Sequence, residues 1–178
     1  MNWNEYEEKY IRLAKIKGKS DKLGKYKFEP IYDIKVVQNK MKSDKAILVF
    51  VDDFIGTGHT AEKCFQSVNL LDNILNRTMV LALVAQEEGV KCIESFGIKV
   101  YSGKVRKKGI TDYYDVKEAK EKIILMEEIE EKMAIKKEYR FGYGASEALV
   151  TMCRTPNNTF PVFWEEKGNM KLAPFPRG

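Results

Sequence analysis

Asp52 and Asp53 are followed at once by Phe54-Ile55 and then by Gly56-Thr57-Gly58-His59-Thr60. Glycines at 56 and 58 permit positive φ and let backbone N–H groups come close to a ligand. Thr57 and Thr60 add hydroxyl donors, and a helix opening here adds partial positive charge, so a phosphate monoester can sit in the turn. Ile55, Gly56, Thr57, Gly58, His59 and Thr60 are therefore the candidate phosphate-binding residues. One step earlier, the Asp52 and Asp53 carboxylates are acceptors suited to the vicinal hydroxyls of a ribose or, through water, to a divalent ion. The run is neither a Walker loop, which needs Gly-Lys-Ser/Thr, nor the dinucleotide fingerprint with its third glycine. A chance strand-to-helix turn with polar caps is the competing explanation; agreement at both carboxylates, both glycines and the closing threonine weighs against it.

These residues need a strand to carry the carboxylates and a helix to back the loop, and the flanking sequence supplies both. Ala46-Ile47-Leu48-Val49-Phe50-Val51 is a continuous apolar, largely β-branched run, the pattern of a parallel strand covered on both faces, and it is expected to end at Asp52-Asp53. From Ala61 to Leu75, the residues Cys64, Phe65, Val68, Leu71 and Leu75 fall on one helical face. Met79 to Ala85 reads as a second buried strand, Glu87 to Phe96 as a short helix with Gly97 as its C-cap, and Ile98 to Tyr101 as a third strand. Alternation of this kind gives an α/β fold with a parallel sheet and right-handed crossovers.

Residues 1–178 read as one domain: an N-terminal helix and basic loop (1–45), the motif core (46–101), a long helix (115–135) and a tail of turns and short strands (139–178). In 3–17, Trp3, Tyr6, Tyr10, Leu13 and Ala14 recur at helical spacing; Gly18 to Lys27 is lysine- and glycine-rich without periodicity. Ile31 to Val37 fits either a strand or the first turns of a helix running through Met41. Residues 115–135 contain no Gly or Pro, and Ile123, Ile124, Met126, Ile129 and Met133 should pack on the body. Phe141-Gly142-Tyr143-Gly144, Thr155-Pro156-Asn157-Asn158 and Pro174-Phe175-Pro176 punctuate the tail.

Composition narrows the function classes. The 178 residues are 44% hydrophobic and 32% charged, with mean hydropathy −0.41, values of a soluble globular domain that needs neither disulfides nor a structural metal. Cys64, Cys92 and Cys153 are an odd set at wide spacing, and a single histidine leaves too few ligands for a zinc site. Cys64 and Cys153 are expected to be inert core residues, and the protein to be reduced and cytoplasmic. The acidic, aromatic start is unlike a signal peptide, and no apolar run approaches the ~18 residues of a membrane span. The net charge is +5, with lysines crowded in 9–19 and basic residues again at Lys104, Arg106, Lys107 and Lys108. A nucleic acid is a candidate partner on that ground, against the simpler reading of a solvated lysine-rich face; a small phosphate-bearing ligand fits the charge equally well.

The segment Ile47-Leu48-Val49-Phe50-Val51-Asp52-Asp53-Phe54-Ile55-Gly56-Thr57-Gly58-His59-Thr60 closely resembles the phosphoribosyl pyrophosphate (PRPP) motif of type I phosphoribosyltransferases. The resemblance implies a parallel-sheet phosphoribosyltransferase-like fold. It also implies a catalytic role for Asp52 and Asp53 on the ribose hydroxyls, and a place for the 5′-phosphate of PRPP or a nucleotide at Gly56 through Thr60. Mg²⁺ is the implied cofactor, bridging pyrophosphate to water and to Asp52 or Asp53. Gly56 stands where the 6-oxopurine branch carries an aspartate base, which disfavours that branch. His59 occupies a variable family position, so a solvent-facing side chain is favoured over a general acid.

The tail, Gly142-Tyr143-Gly144-Ala145-Ser146-Glu147-Ala148-Leu149-Val150 and Thr155-Pro156-Asn157-Asn158-Thr159-Phe160-Pro161-Val162-Phe163-Trp164, is similar to the C-terminal signature of a narrower group. These are the phosphoribosyltransferase-like proteins of prokaryotic conflict systems, some retron anti-phage operons included. Arg154, Asn157, Asn158 and Trp164 become candidates for pocket lining, with an Asx turn an equal explanation of the two asparagines. The function implied is pyrophosphate displacement or nucleotide modification by an anti-phage effector; the alternative is a non-catalytic nucleotide-sensing or structural subunit of a defence complex. A complete type I enzyme carries more chain ahead of the motif strand, including a pyrophosphate-binding loop and a flexible catalytic loop. Either residues 1–45 are a compressed version with Gly18 to Lys27 as a remnant basic loop, or a homo-oligomer or partner protein completes the fold through Lys15 to Lys27 and the tail around Trp164.

Overall fold

The computed structural model describes residues 22–23, 26–27, 33–68, 72–166 and 173–177; the expected helix over 3–17 and most of the loop over 18–27 lie outside them. Two short strands, β1 (Lys22–Leu23) and β2 (Tyr26–Lys27), pair antiparallel. Where 31–41 left strand and helix open, the described residues form a helix, α1 (Ile34–Lys40), because Asp33 caps it: its side chain accepts the Lys35 N–H at 2.7 Å; residues 31–32 lie outside the described residues.

The core is a three-stranded parallel sheet in the order β3-β4-β5, built from β3 (Leu48–Ile55), β4 (Thr78–Gln86) and β5 (Lys99–Arg106). Leu48 pairs with Thr78 and Ile55 with Ala85; Met79 pairs with Lys99 and Gln86 with Arg106. Both outer strands run further than their apolar runs suggest. β3 does not stop at the carboxylates but carries them inside the strand, with Asp52 paired to Ala82. Two buried apolar residues, Phe54 and Ile55, prolong it. Ile55 joins the core of Phe65, Val80, Ile93 and Ile98, while Phe54 packs with Ala148 and Val150 of the tail.

Of the helix expected over 61–75, the described residues are helical in α2 (His59–Val68) and α3 (Asp72–Leu75), and 69–71 lie outside them. With α4 (Glu87–Glu94), α2 covers one face of the sheet through Cys64, Phe65 and Ile93. Along β4 the residues alternating with Val80 and Ala82 point the other way, and there Leu83 is 61% exposed, as is Tyr101 of β5 at 51%. The long helix α5 (Val116–Lys132) begins at Asp115, whose side chain accepts the Glu118 N–H at 2.9 Å. Its inner stripe is Ala119, Ile123, Met126, Glu130 and Met133, spaced four, three, four and three. Ile124 and Ile129 fall off that stripe and are 48% and 39% exposed, contrary to expectation. The tail contains 3-10 turns at Lys137–Tyr139, Tyr143–Ala145 and Pro161–Phe163 and a lone bridge between Ala148 and Thr159; the short strands expected there do not occur among the described residues. No helix among the described residues is long and apolar enough to cross a membrane.

Candidate functional site

The glycine loop lies at the carboxyl end of β3, where open parallel sheets bind ligands. Gly58 has φ +85, and a Cβ there would lie 2.8 Å from Cys92 Cβ and 3.1 Å from the Gly89 carbonyl. A Cβ on Gly89 would in turn press into Gly56 O and stand 2.7 Å from Ile55 Cγ2. The start of α4 is thus packed directly on the loop, and glycine is required on both sides of the contact. The Gly58 carbonyl accepts the Glu62 N–H at 3.0 Å, so α2 grows straight out of the turn. Thr57 is buried with its Oγ1 3.3 Å from His59 Nδ1, while His59 itself is exposed, as its family position implied. Beneath the loop, burial pushes the Cys92 thiol above its ordinary range, with Glu62 and Glu88 adding to the effect.

The two carboxylates behave differently from one another. Asp52 borders a cavity of about 20 Å³ with Phe50, Ile55, Ala61, Cys64, Phe65 and Val80, between sheet and α2. Its Oδ1 accepts the Asp53 N–H at 2.8 Å. Asp52 and Asp53 are both half-buried.

What covers the loop comes from the tail. The Asn158 carboxamide rests on Gly56, where a Cβ would stand 2.7 Å from its Cγ. Asn158 Nδ2 donates to Tyr143 O at 3.1 Å, and the Tyr143 N–H donates to Asn157 O at 2.8 Å. Gly144, at φ +70, brings its backbone within reach of Thr57, 3.1 Å from a Cβ position to Thr57 Cγ2. Ser146 Oγ donates to Asn158 O at 2.7 Å, and Gln86 Nε2, at the end of β4, donates to Ser146 O at 2.7 Å. Residues 141–158 therefore form a clasp over Gly56 and Thr57, and all of Gly56, Thr57 and Gly58 are buried.

Of the pocket-lining candidates, Asn158 reaches the loop through its side chain and Asn157 contributes its backbone carbonyl to the clasp. Arg154 is exposed. Trp164 is buried, with its Nε1 donating to Thr159 O at 2.7 Å, so it anchors the clasp from behind. Cys64 is in the core as expected; Cys153 is exposed, because it sits in a bend between Met152 and Arg154 rather than in a packed element. Sequence reasoning missed Gln86 and Gly89. A glutamine and a glycine at a strand-to-helix junction carry no distinctive pattern, and their importance comes from neighbours far away in the chain. Gly142 and Gly144 stood in the tail signature, but only the fold reveals that they meet Asn158 and Thr57.

Asp52 and Asp53 offer hard oxygen donors of the kind Mg²⁺ takes. No cluster of three or more metal-ligating side chains occurs among the described residues.

No curated protein matches the chain. Residues 7–177, nearly its whole length, match the PRTase-CE family. Strand, glycine loop and helix in the order of the PRPP motif, on a parallel α/β sheet, agree with that match: the chain belongs to the PRTase-CE family, a phosphoribosyltransferase-type domain.

Proposed function

We propose that the loop Gly56–Thr60 takes the 5′-phosphate of PRPP or a nucleotide, with Asp52 and Asp53 serving the ribose hydroxyls. The observation that carries this reading is the left-handed Gly58 at the mouth of α2, where backbone N–H groups and a helix N-terminus meet a buried threonine hydroxyl. The reaction would be displacement of pyrophosphate at the anomeric carbon or modification of a nucleotide. The carboxylates would stabilise the positive charge that develops on the ribose ring, and Mg²⁺, when bound, would neutralise the leaving pyrophosphate. A role as an effector of anti-phage defence in the cytoplasm, completed by a second copy or a partner protein, accompanies this reading.

The clasp favours a second reading, a nucleotide sensor. A loop buried under Asn158 and Gly144 admits a phosphate only when the tail shifts, so ligand binding and tail position are coupled. Calorimetry with PRPP and Mg²⁺ on the parent and on the Asp52→Asn, Asp53→Asn double variant tests the site. Loss of PRPP binding in a folded variant supports it, and unchanged affinity overturns it. Pyrophosphate release at about 1 s⁻¹ or faster would decide for the enzyme over the sensor.

A further inference from the structure

A different part of the tail carries two arginines, Arg154 and Arg177, that form no ion pair with a carboxylate among the described residues. The Arg177 guanidinium lies over the Trp164 ring, 5.1 Å from its centroid, and its Nε is buried with no acceptor among the described residues. Arg154 is brought beside it by the backbone. Thr155 Oγ1 donates to Phe175 O at 3.1 Å, and the Phe175 N–H donates to Phe163 O at 2.8 Å, so 154–155, 163–164 and 175–177 are laced together. Trp164 is fixed in turn by its bond to Thr159 O. Among the described residues neither guanidinium forms an ion pair with a carboxylate. The Arg177 guanidinium is held below its usual pKa, first by burial and then by the positive charge of Arg154, with Tyr139 and Glu165 offsetting a little. Two guanidiniums close together, with only the small offset from Glu165, are costly unless an anion joins them.

We propose that Arg154 and Arg177, backed by Trp164, form a second oxyanion site that takes a phosphate group. The planar donors of arginine suit bidentate contact with phosphate oxygens, and the aromatic platform fixes one of the two forks in advance. The site uses none of the glycine-loop residues and stands whether or not that loop takes PRPP. Its phosphate comes either from free polyphosphate or from a nucleotide, and the two sources differ in which probes bind.

The test measures binding of inorganic pyrophosphate and of uridine 5′-monophosphate, each without metal, to the full chain and to the Arg154→Gln, Arg177→Gln double variant. Loss of two charge-assisted contacts should weaken binding by about 10- to 100-fold. Weakening confined to pyrophosphate assigns the site to free polyphosphate, and weakening of both probes assigns it to a nucleotide-borne phosphate. Arg154→Gln alone changes an exposed side chain and keeps the measurement readable if the double variant folds poorly; it should weaken binding in part and leave the melting temperature unchanged. Affinity for both probes equal to that of the parent in Arg154→Gln and in the double variant overturns the proposal.

Discussion

Two buried glutamates grip the two ends of the same strained segment, and they do so on unequal terms. Phe141, Gly142, Gly144, Ala145 and Glu147 all have positive φ, three of them residues for which that region costs roughly 1 kcal/mol or more each. At one end, Glu147 is 5% exposed and its carboxylate accepts three donors: the Ile110 N–H at 3.0 Å, the Thr111 N–H at 2.8 Å and the Thr111 hydroxyl. At the other, Glu130 is fully buried and accepts one, the Phe141 N–H at 2.8 Å, leaving Oε1 without a partner among the described residues. A carboxylate surrounded by donors is a structural rivet, whereas one with a single donor is a burden in its charged form. The difference decides what each contributes to the clasp over the glycine loop.

The largest effect is therefore expected at Glu147. Glu147→Ala leaves the buried Ile110 N–H and the half-buried Thr111 N–H without acceptors, at about 1–3 kcal/mol each, and puts no bond in their place. A loss of about 3–5 kcal/mol in urea denaturation is the expected outcome. A loss below that of Glu130→Ala would reverse the ranking of the two residues.

Neither glutamate could be singled out in advance, and the reason shows what local pattern can carry. The strand, loop and helix around Gly56 were legible because each piece is contiguous: an apolar run, two glycines, a helical face. The clasp joins Glu130 to 141, Glu147 to 110–111, and Asn158 to Gly56 across long sequence separations, and no spacing rule reports such pairs. In α5, Glu130 occupies a core-facing position, and its charge disguised the stripe, so that the exposed Ile124 and Ile129 passed for core residues. β3 outran its expected end for a similar reason. Aspartates usually punctuate strands, but Asp52 stays in the ladder because its Oδ1 accepts the Asp53 N–H and Phe54 and Ile55 find burial beyond it.

A second test turns on pH. Burial pushes the Glu130 carboxyl from 4.5 up to about 7, against the opposing pull of the Phe141 N–H and the Arg140 guanidinium and with a small addition from Glu127. A carboxyl raised in the native state binds more protons there than in the unfolded chain, so its contribution is fully present below about pH 4.5 and is lost as pH rises to about 7. Stability should fall across that window by about 2–3 kcal/mol. Glu130→Gln removes the titration and keeps an oxygen for the Phe141 N–H, so it should flatten the profile and be the more stable protein at pH 8. Parallel pH profiles for parent and variant would show that Glu130 is already compensated and that the contrast with Glu147 is not one of charge.

The smallest effect belongs to the charges outside the clasp. Arg140 Nη1 lies 2.8 Å from Glu131 Oε1 and 3.8 Å from Glu127 Oε1, but both carboxylates are more than half exposed. Water screens such pairs and side-chain entropy opposes them, so Glu131→Gln should cost about 0.5 kcal/mol or less. That cost should shrink further in 1 M salt, where the Debye length is about 3 Å. Arg140 also faces Glu130, and the variant leaves it free to turn inward, so the Glu130 midpoint should stay near 7 or drop slightly. Denaturation of Glu131→Gln at low and high salt reads both the cost and its screening. A salt-resistant loss approaching that of Glu147→Ala would mean that the clasp hangs on its ion pairs, and that the backbone donors around Glu147 are not what holds it over the glycine loop.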